Sequence, residues 1–197
     1  MDFSQRVHQH FTDSIEAKTQ TMQVLAQPII QAAQRIADCL AQQHKVLSCG
    51  NGGSASDAQH FTAELVNRFE IERPSLAAIA LTTNISTLTS IANDYEYNQI
   101  FSKQVQGLGQ AGDILLAIST SGNSSNIVQA VKIAQQKQMT VIALTGGDGG
   151  DIGQMLGEND MELRVVHNVT ARIQEVHILI IHCLCDIVDH TLYPQVV

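Results

Sequence analysis

The sequence predicts an α/β protein: a three-layer, doubly wound parallel sheet of five strands in flavodoxin-like order, with extra N-terminal helices. Apolar runs at 46–49, 76–81, 113–118, 140–144 and 162–166 alternate with stretches of helical spacing, and this alternation builds parallel βαβ units with helices on both faces. The first and third runs break into polar loops, 51–54 and 119–124. In open α/β sheets ligands bind beyond the C-terminal strand ends where strand order reverses. Flavodoxin-like order would make these two loops neighbours at that point.

Residues 3–43 repeat apolar side chains at helical spacing, among them Phe11, Ile15, Leu25, Ile29, Ala33 and Leu40. Pro28 marks the start or kink of a second helix there. In the stretch 45–68, KVLSCGNGGSASDAQHFTAELVNR, Val46, Leu47 and Cys49 suit a buried strand. Gly50, Gly52 and Gly53 allow positive φ and close backbone approach. Ser54, with Asp57 three residues on, reads as a capping-box start for the next helix. A helix starting here aims unpaired N–H groups and its positive dipole end into the loop, which suits a phosphate. Helices follow at 86–92 and 98–108, and the hydroxyl-rich 119–124 loop leads into a helix ending near Gln136. GGDGG at 146–150 reads as a loose segment, and a closing helix spans about 170–192. Its centre is apolar nearly all round, the mark of a buried helix.

At 197 residues the chain fits one domain, 1–197, divided into a helical region 1–43 and an α/β core 44–197. A net charge of −8 argues against direct nucleic-acid binding, which relies on Lys and Arg neutralising phosphates. Cys39, Cys49, Cys183 and Cys185 show no paired spacing and read as reduced core residues. The N-terminal stretch lacks the apolar segment of a secretion signal, and no apolar run could span a bilayer, so the expected location is cytoplasmic. Apolar residues make up 44% of the chain, a surplus that points to buried subunit contacts.

The segment 50–55 matches the G-x-G-x-x-A dinucleotide pattern, but the second strand ends Leu81-Thr82-Thr83-Asn84, without the acidic residue that binds ribose. The P-loop lysine and the G-x-S-x-G nucleophile elbow are missing. No Lys or Arg occurs between Val46 and Asn67 or between Gln104 and Val131. A phosphate held here must therefore be bound by backbone N–H groups, hydroxyls and helix dipoles. Asp57, His60 and Glu64 share one helix face, and a His–Glu pair at i, i+4 can hold a metal or flank one substrate atom. Gln174 and His182 lie eight residues apart on the closing helix, able to point into one cleft. His44, His167 and His190 read as surface residues.

These residues together resemble the sugar isomerase domains of the phosphoheptose isomerase group. The resemblance covers essentially the whole chain and is carried by CGNGGSASDAQHF at 49–61, ALTTN at 80–84, IANDY at 91–95, LLAISTSGNSSN at 115–126, and ARIQEVH with His182 at 171–182. It implies conversion of sedoheptulose 7-phosphate to D-glycero-D-manno-heptose 7-phosphate, the first step toward ADP-heptose for lipopolysaccharide core, by a cytoplasmic, zinc-containing homotetramer. It further implies substrate contacts from Asn51, Gly52, Gly53, Ser54, Asn93, Asp94, Ser119, Thr120, Ser121, Ser124 and Gln174. Metal ligation falls to His60, Glu64, Gln174 and His182, with Glu64 and His182 also the acid–base pair. A carboxylate on zinc is a weaker base, so the double role is a tension. The DnaA initiator-associating protein is similar in most of these motifs, which leaves an alternative: a tetrameric scaffold binding the replication initiator DnaA. Retention of Glu64 and His182, and Ser121 where that relative has arginine, favours the enzyme. Active sites are expected near subunit boundaries, with Arg68 reaching across and Gln174 and His182 able to serve a neighbour's 51–54 loop.

Overall fold

The computed structural model describes residues 2–195. Helix α1 spans Phe3–Ala41, capped by the Asp2 carboxylate, which accepts from the Ser4 N–H at 2.9 Å. The break or second helix expected at Pro28 does not occur. Proline removes one ladder hydrogen bond, and the flanking turns are held by tertiary packing, with Leu25, Ala32, Ala33 and Ile36 buried. Then follow β1 (Val46–Gly50), α2 (Gly53–Val66), β2 (Ala78–Ala80), α3 (Ile85–Asp94), a 3-10 turn at Tyr97–Gln99, α4 (Ser102–Leu108), β3 (Ile114–Ser119), α5 (Ser125–Gln136), β4 (Thr140–Gly146), α6 (Gly150–Met155), β5 (Met161–Val165) and α7 (Thr170–Leu192).

The strands form one parallel sheet in the order β2-β1-β3-β4-β5, the flavodoxin-like order. Strand alternation sorts side chains to two faces. Val46, Leu116, Ile118, Ile142, Leu144 and Val165 pack with α1, α2 and α7, while Leu47, Cys49, Leu115, Ala117, Val141 and Ala143 pack with α3, α4, α5 and α6. The helices after β1 and β3 thus lie on opposite faces, and the strand order reverses between those two strands.

Three local expectations are corrected. The 98–108 stretch divides into the 3-10 turn and α4. The GGDGG segment is ordered: Gly149 and Gly150 adopt φ of 86° and 55° and open α6. Its backbone is tied to the third-strand loop by Ile152 N–H donating to Gly122 O at 3.0 Å and Asp151 N–H to Asn123 Oδ1 at 2.9 Å. The Ser54–Asp57 capping box does not form, because α2 starts earlier, with Gly52 at the cap at φ 55° and Ser54 buried inside the first turn.

One buried ion pair ties the second layer together. Arg73 Nε donates to Asp189 Oδ1 of α7 at 2.8 Å, and its terminal nitrogens donate to the carbonyls of Glu64 and Leu65 at 2.7 Å and of Asn67 at 3.3 Å. Those carbonyls end α2, where the helix runs out of N–H donors of its own. Breaking a buried pair leaves an uncompensated charge, at a cost of about 3–5 kcal/mol. Arg73→Leu is expected to lower the stability read from urea unfolding by about that much; a loss under about 1 kcal/mol would show that the pair is not structural.

Candidate active site

Strand β1 delivers Gly50 beside Ile118 of β3, so the 51–54 and 119–124 loops meet at the switch point. A Cβ on Gly50 would stand 2.3 Å from the Ser54 carbonyl, and one on Gly53 would stand 2.5 Å from Gln174 Nε2. The turn is therefore closed down onto α2, and the Gln174 amide from α7 lies against it. Asn51 is held by side chains absent from the predicted set. Its Nδ2–H donates to Asn126 Oδ1 at 2.8 Å, its Oδ1 accepts from Asn126 Nδ2–H at 2.9 Å, and the Tyr97 hydroxyl donates to Oδ1 at 3.4 Å.

In the second loop, Ser119 is buried and its hydroxyl donates to Ser124 Oγ at 3.2 Å, while Ser121 Oγ accepts from the Asn123 N–H at 3.2 Å. Thr120 and Ser121 line a cavity of about 260 Å³ whose other walls include Asn123, Asp148, His167 and Thr170. His167, read as a surface residue, thus belongs to the rim of the loop cluster. Asn93 and Asp94 end α3 in the open, joined by Asn93 Nδ2–H donating to Asp94 Oδ1 at 2.9 Å.

Further along α2 the acid–base candidates gather. His60 Nε2 is 3.0 Å from His182 Nε2 and 3.3 Å from Glu64 Oε1, and Phe69 stacks on the His182 ring at 5.7 Å between centroids. His60 stands between Glu64 and His182. Gln174 is directed to Gly53. Among the described residues no three His, Cys, Asp or Glu side chains form a preassembled metal cluster; the donor atoms form a chain instead. Within the one chain, Gln174 lies against that chain's own Gly53.

Two groups near the site carry shifted protonation equilibria. Asp57, one turn before His60, has a buried Oδ2 without a partner, and desolvation pushes its carboxyl up to about 6 against the opposing pull of His60. His177, on the buried face of α7, donates from Nε2 to the Thr145 carbonyl at 2.9 Å, leaving Nδ1 unpartnered. Burial pushes its imidazole down to about 4. Only its placement between α7 and β4, invisible in the sequence, separates it from a surface histidine.

The family model for the SIS domain matches residues 10–146. The chain belongs to the SIS domain family. Within that family it is 61% identical over 193 residues to the phosphoheptose isomerase of Chromohalobacter salexigens and 59% identical over 195 residues to that of Coxiella burnetii, covering at least 98% of each chain. The fold matches the phosphoheptose isomerase structure from Neisseria gonorrhoeae with a TM-score of 0.91 and 53% identity, over 95% of this chain and 99% of that one. It matches the one from Francisella tularensis with a TM-score of 0.94 and 50% identity, over 96% and 100%. This SIS domain therefore has solved relatives that retain its sheet and its helices almost throughout.

The His177 shift sets a sign for acid stability. Between about pH 4 and 6.5 the unfolded chain holds a proton that the folded chain refuses, so this stability contribution is complete above 6.5 and falls as pH drops through the window. The loss approaches roughly 3 kcal/mol at the acid end. Asp57 acts oppositely, since its raised carboxyl weakens the fold as pH rises through about 6. Thermal unfolding from pH 4 to 7 is expected to show a smaller acid decline for His177→Gln than for the parent chain. Parallel curves would mean that His177 does not carry the effect.

Proposed function

We propose that this chain is an aldose–ketose isomerase that converts sedoheptulose 7-phosphate to D-glycero-D-manno-heptose 7-phosphate, as the names of its close relatives suggest. The observation that carries this reading is the placement of Glu64, His60 and His182, from two different helices, beside two polar loops that contain no lysine or arginine. A dianionic phosphate is held at the 51–54 and 119–124 loops by backbone N–H groups, by the hydroxyls of Thr120, Ser121 and Ser124, and by the start of α2. Asn93, Asp94 and Gln174 face the sugar hydroxyls.

Isomerisation through a cis-enediol needs one group to take the proton from the carbon beside the carbonyl and return it to the neighbouring carbon. A second must move a proton between the two oxygens. Glu64 takes the carbon role and His182 serves the oxygens, with His60 in contact with both.

The donor chemistry also fits zinc. Two imidazole nitrogens 3.0 Å apart and a carboxylate oxygen 3.3 Å from one of them are the N and O donors that zinc takes. His60, Glu64 and His182 would hold the ion, with Gln174 joining by leaving Gly53. When bound, zinc would polarise the substrate's oxygens as a Lewis acid.

A protein scaffold for the replication initiator DnaA has no use for this side-chain chain. We place the reaction in the cytoplasm, feeding ADP-heptose synthesis for lipopolysaccharide core; among the described residues no helix is long and apolar enough to cross a membrane. Glu64→Gln is expected to lower kcat by at least about 100-fold while still binding sedoheptulose 7-phosphate, measured by aldose formation and by calorimetry. A fully active variant removes Glu64 from the mechanism.

Assembly is part of the same reading. Phe3, Val7, Phe11, Ile15, Met22 and Val24 of α1 are exposed, and an apolar groove of about 450 Å³ between α1 and α7 is lined by Met22, Ile29, Leu179 and Cys183. At about 25 cal/mol per Å² that surface favours association. We infer a homotetramer packed through α1 and α7, with the exposed Arg68 near a neighbour's site. Light scattering is expected to give four times the chain mass, and a monomer at micromolar concentration would refute the assembly.

A further inference from the structure

The connection from β1 to α2 consists of Asn51 and Gly52 alone. Gly52 sits at φ 55° with open space where a Cβ would be, so only the Asn51 side chain can hold this turn. Asn126, the second residue of α5 and 2% exposed, takes that side chain at both ends. The reciprocal bonds of 2.8 and 2.9 Å fix its position and its rotation together, since turning either amide over would set donor against donor and acceptor against acceptor. Tyr97, 60% exposed, adds only the 3.4 Å bond from the solvent side.

We propose that Asn126 is a positioning residue: by locking the Asn51 amide it holds the 51–54 turn so that its backbone N–H groups face the substrate's anionic end. The inference rests on the isomerase reading for its substrate, but the lock is a property of the folded chain. Three features point to it. The pair joins the loop after β1 to the start of α5, which follows β3, and the strand order reverses between β1 and β3, so it ties together the two halves of the site. The turn it holds contains consecutive glycines that would otherwise sample several conformations. Asn126 itself is too buried to meet substrate, so its effect must pass through Asn51.

The test is a double-mutant cycle with Asn51→Ala and Asn126→Ala on the full-length protein, measuring kcat and KM for sedoheptulose 7-phosphate. Asn126→Ala is expected to raise KM about tenfold with kcat within about twofold, the loss of about one hydrogen bond's worth of preorganisation. Because it acts through Asn51, adding it to Asn51→Ala is expected to change KM little further. Tyr97→Phe is expected to change KM less than about twofold, in keeping with its long, solvent-side bond. A folded Asn126→Ala enzyme with unchanged KM overturns the proposal, as does an equal effect in the Asn51→Ala background. If Asn126→Ala does not fold, Asn126→Ser, whose single, shorter hydroxyl cannot pair with both ends of the Asn51 amide, takes its place under the same criteria. Hydrogen exchange of the asparagine side-chain amides in ¹⁵N-asparagine-labelled protein separates the two readings. Slowed exchange for one pair of amides, lost in Asn126→Ala, with no isomerase activity in the parent chain, would sink the function and leave the lock standing; fast exchange of all asparagine amides in the parent chain overturns the lock.

Discussion

The Arg73–Asp189 ion pair is the constraint on which the candidate site depends. Helix α2 carries His60 and Glu64, α7 carries His182, and nothing in the sheet obliges these helices to meet at a particular height. Arg73 does so by holding the last carbonyls of α2 with one set of N–H groups and the carboxylate of Asp189 with another. From Asp189 back to His182 is seven residues, two helical turns, so the buried pair fixes the register that sets His182 3.0 Å from His60. Asp189 keeps one buried oxygen without a partner; a buried ion pair is weak evidence of stability for its own sake, but here it also serves as an alignment device.

Beside that alignment, the two loops proposed to hold the phosphate contain no lysine or arginine. A lysine at the loops would attract phosphate more strongly, but it would also set a fixed charge beside the Glu64–His60–His182 chain. In the isomerase reading, backbone N–H groups and hydroxyls would bind the phosphate through short-range geometry and leave Glu64, His60 and His182 in a field made mostly by one another. The same economy explains why the turn is held by two amide side chains, its own Asn51 and Asn126 of α5: with glycine at Gly52 and Gly53 the backbone can approach an anion closely, and rigidity has to come from elsewhere.

The sheet and its order were legible because alternating apolar runs and helical stretches leave few topologies, and the two loops at the reversal are where α/β sheets place ligands. Helix continuity through Pro28 was not, since a proline signal is local while the packing of Leu25 and Ile36 on α7 is tertiary. The order in GGDGG was hidden because glycine composition suggests looseness, whereas Ile152 and the carbonyl of Gly122 supply anchors only once the two loops are adjacent. Among site residues, His60 and Glu64 could be paired from helical spacing. The meeting of His60 with His182 came only through the family resemblance, because 122 residues separate them. Asn126 carried a readable signal, a buried-type position bearing an amide just inside a helix start, but no periodicity argument says which loop that amide would face.

The geometry at His60 imposes a choice between proton and metal. Two imidazole Nε2 atoms at 3.0 Å repel unless one is protonated and donates to the other's lone pair. A divalent ion needs both lone pairs at once, so it can enter only by displacing that proton. Were such an ion held here, His60, Glu64 and His182 would supply its donors, with the His182 ring stacked on Phe69. His182 is packed between Phe69 and His60, while the His60 side chain is 40% exposed. In the isomerase reading, a metal held here would engage His60 and Glu64 together, since the two already lie 3.3 Å apart one turn from each other on α2.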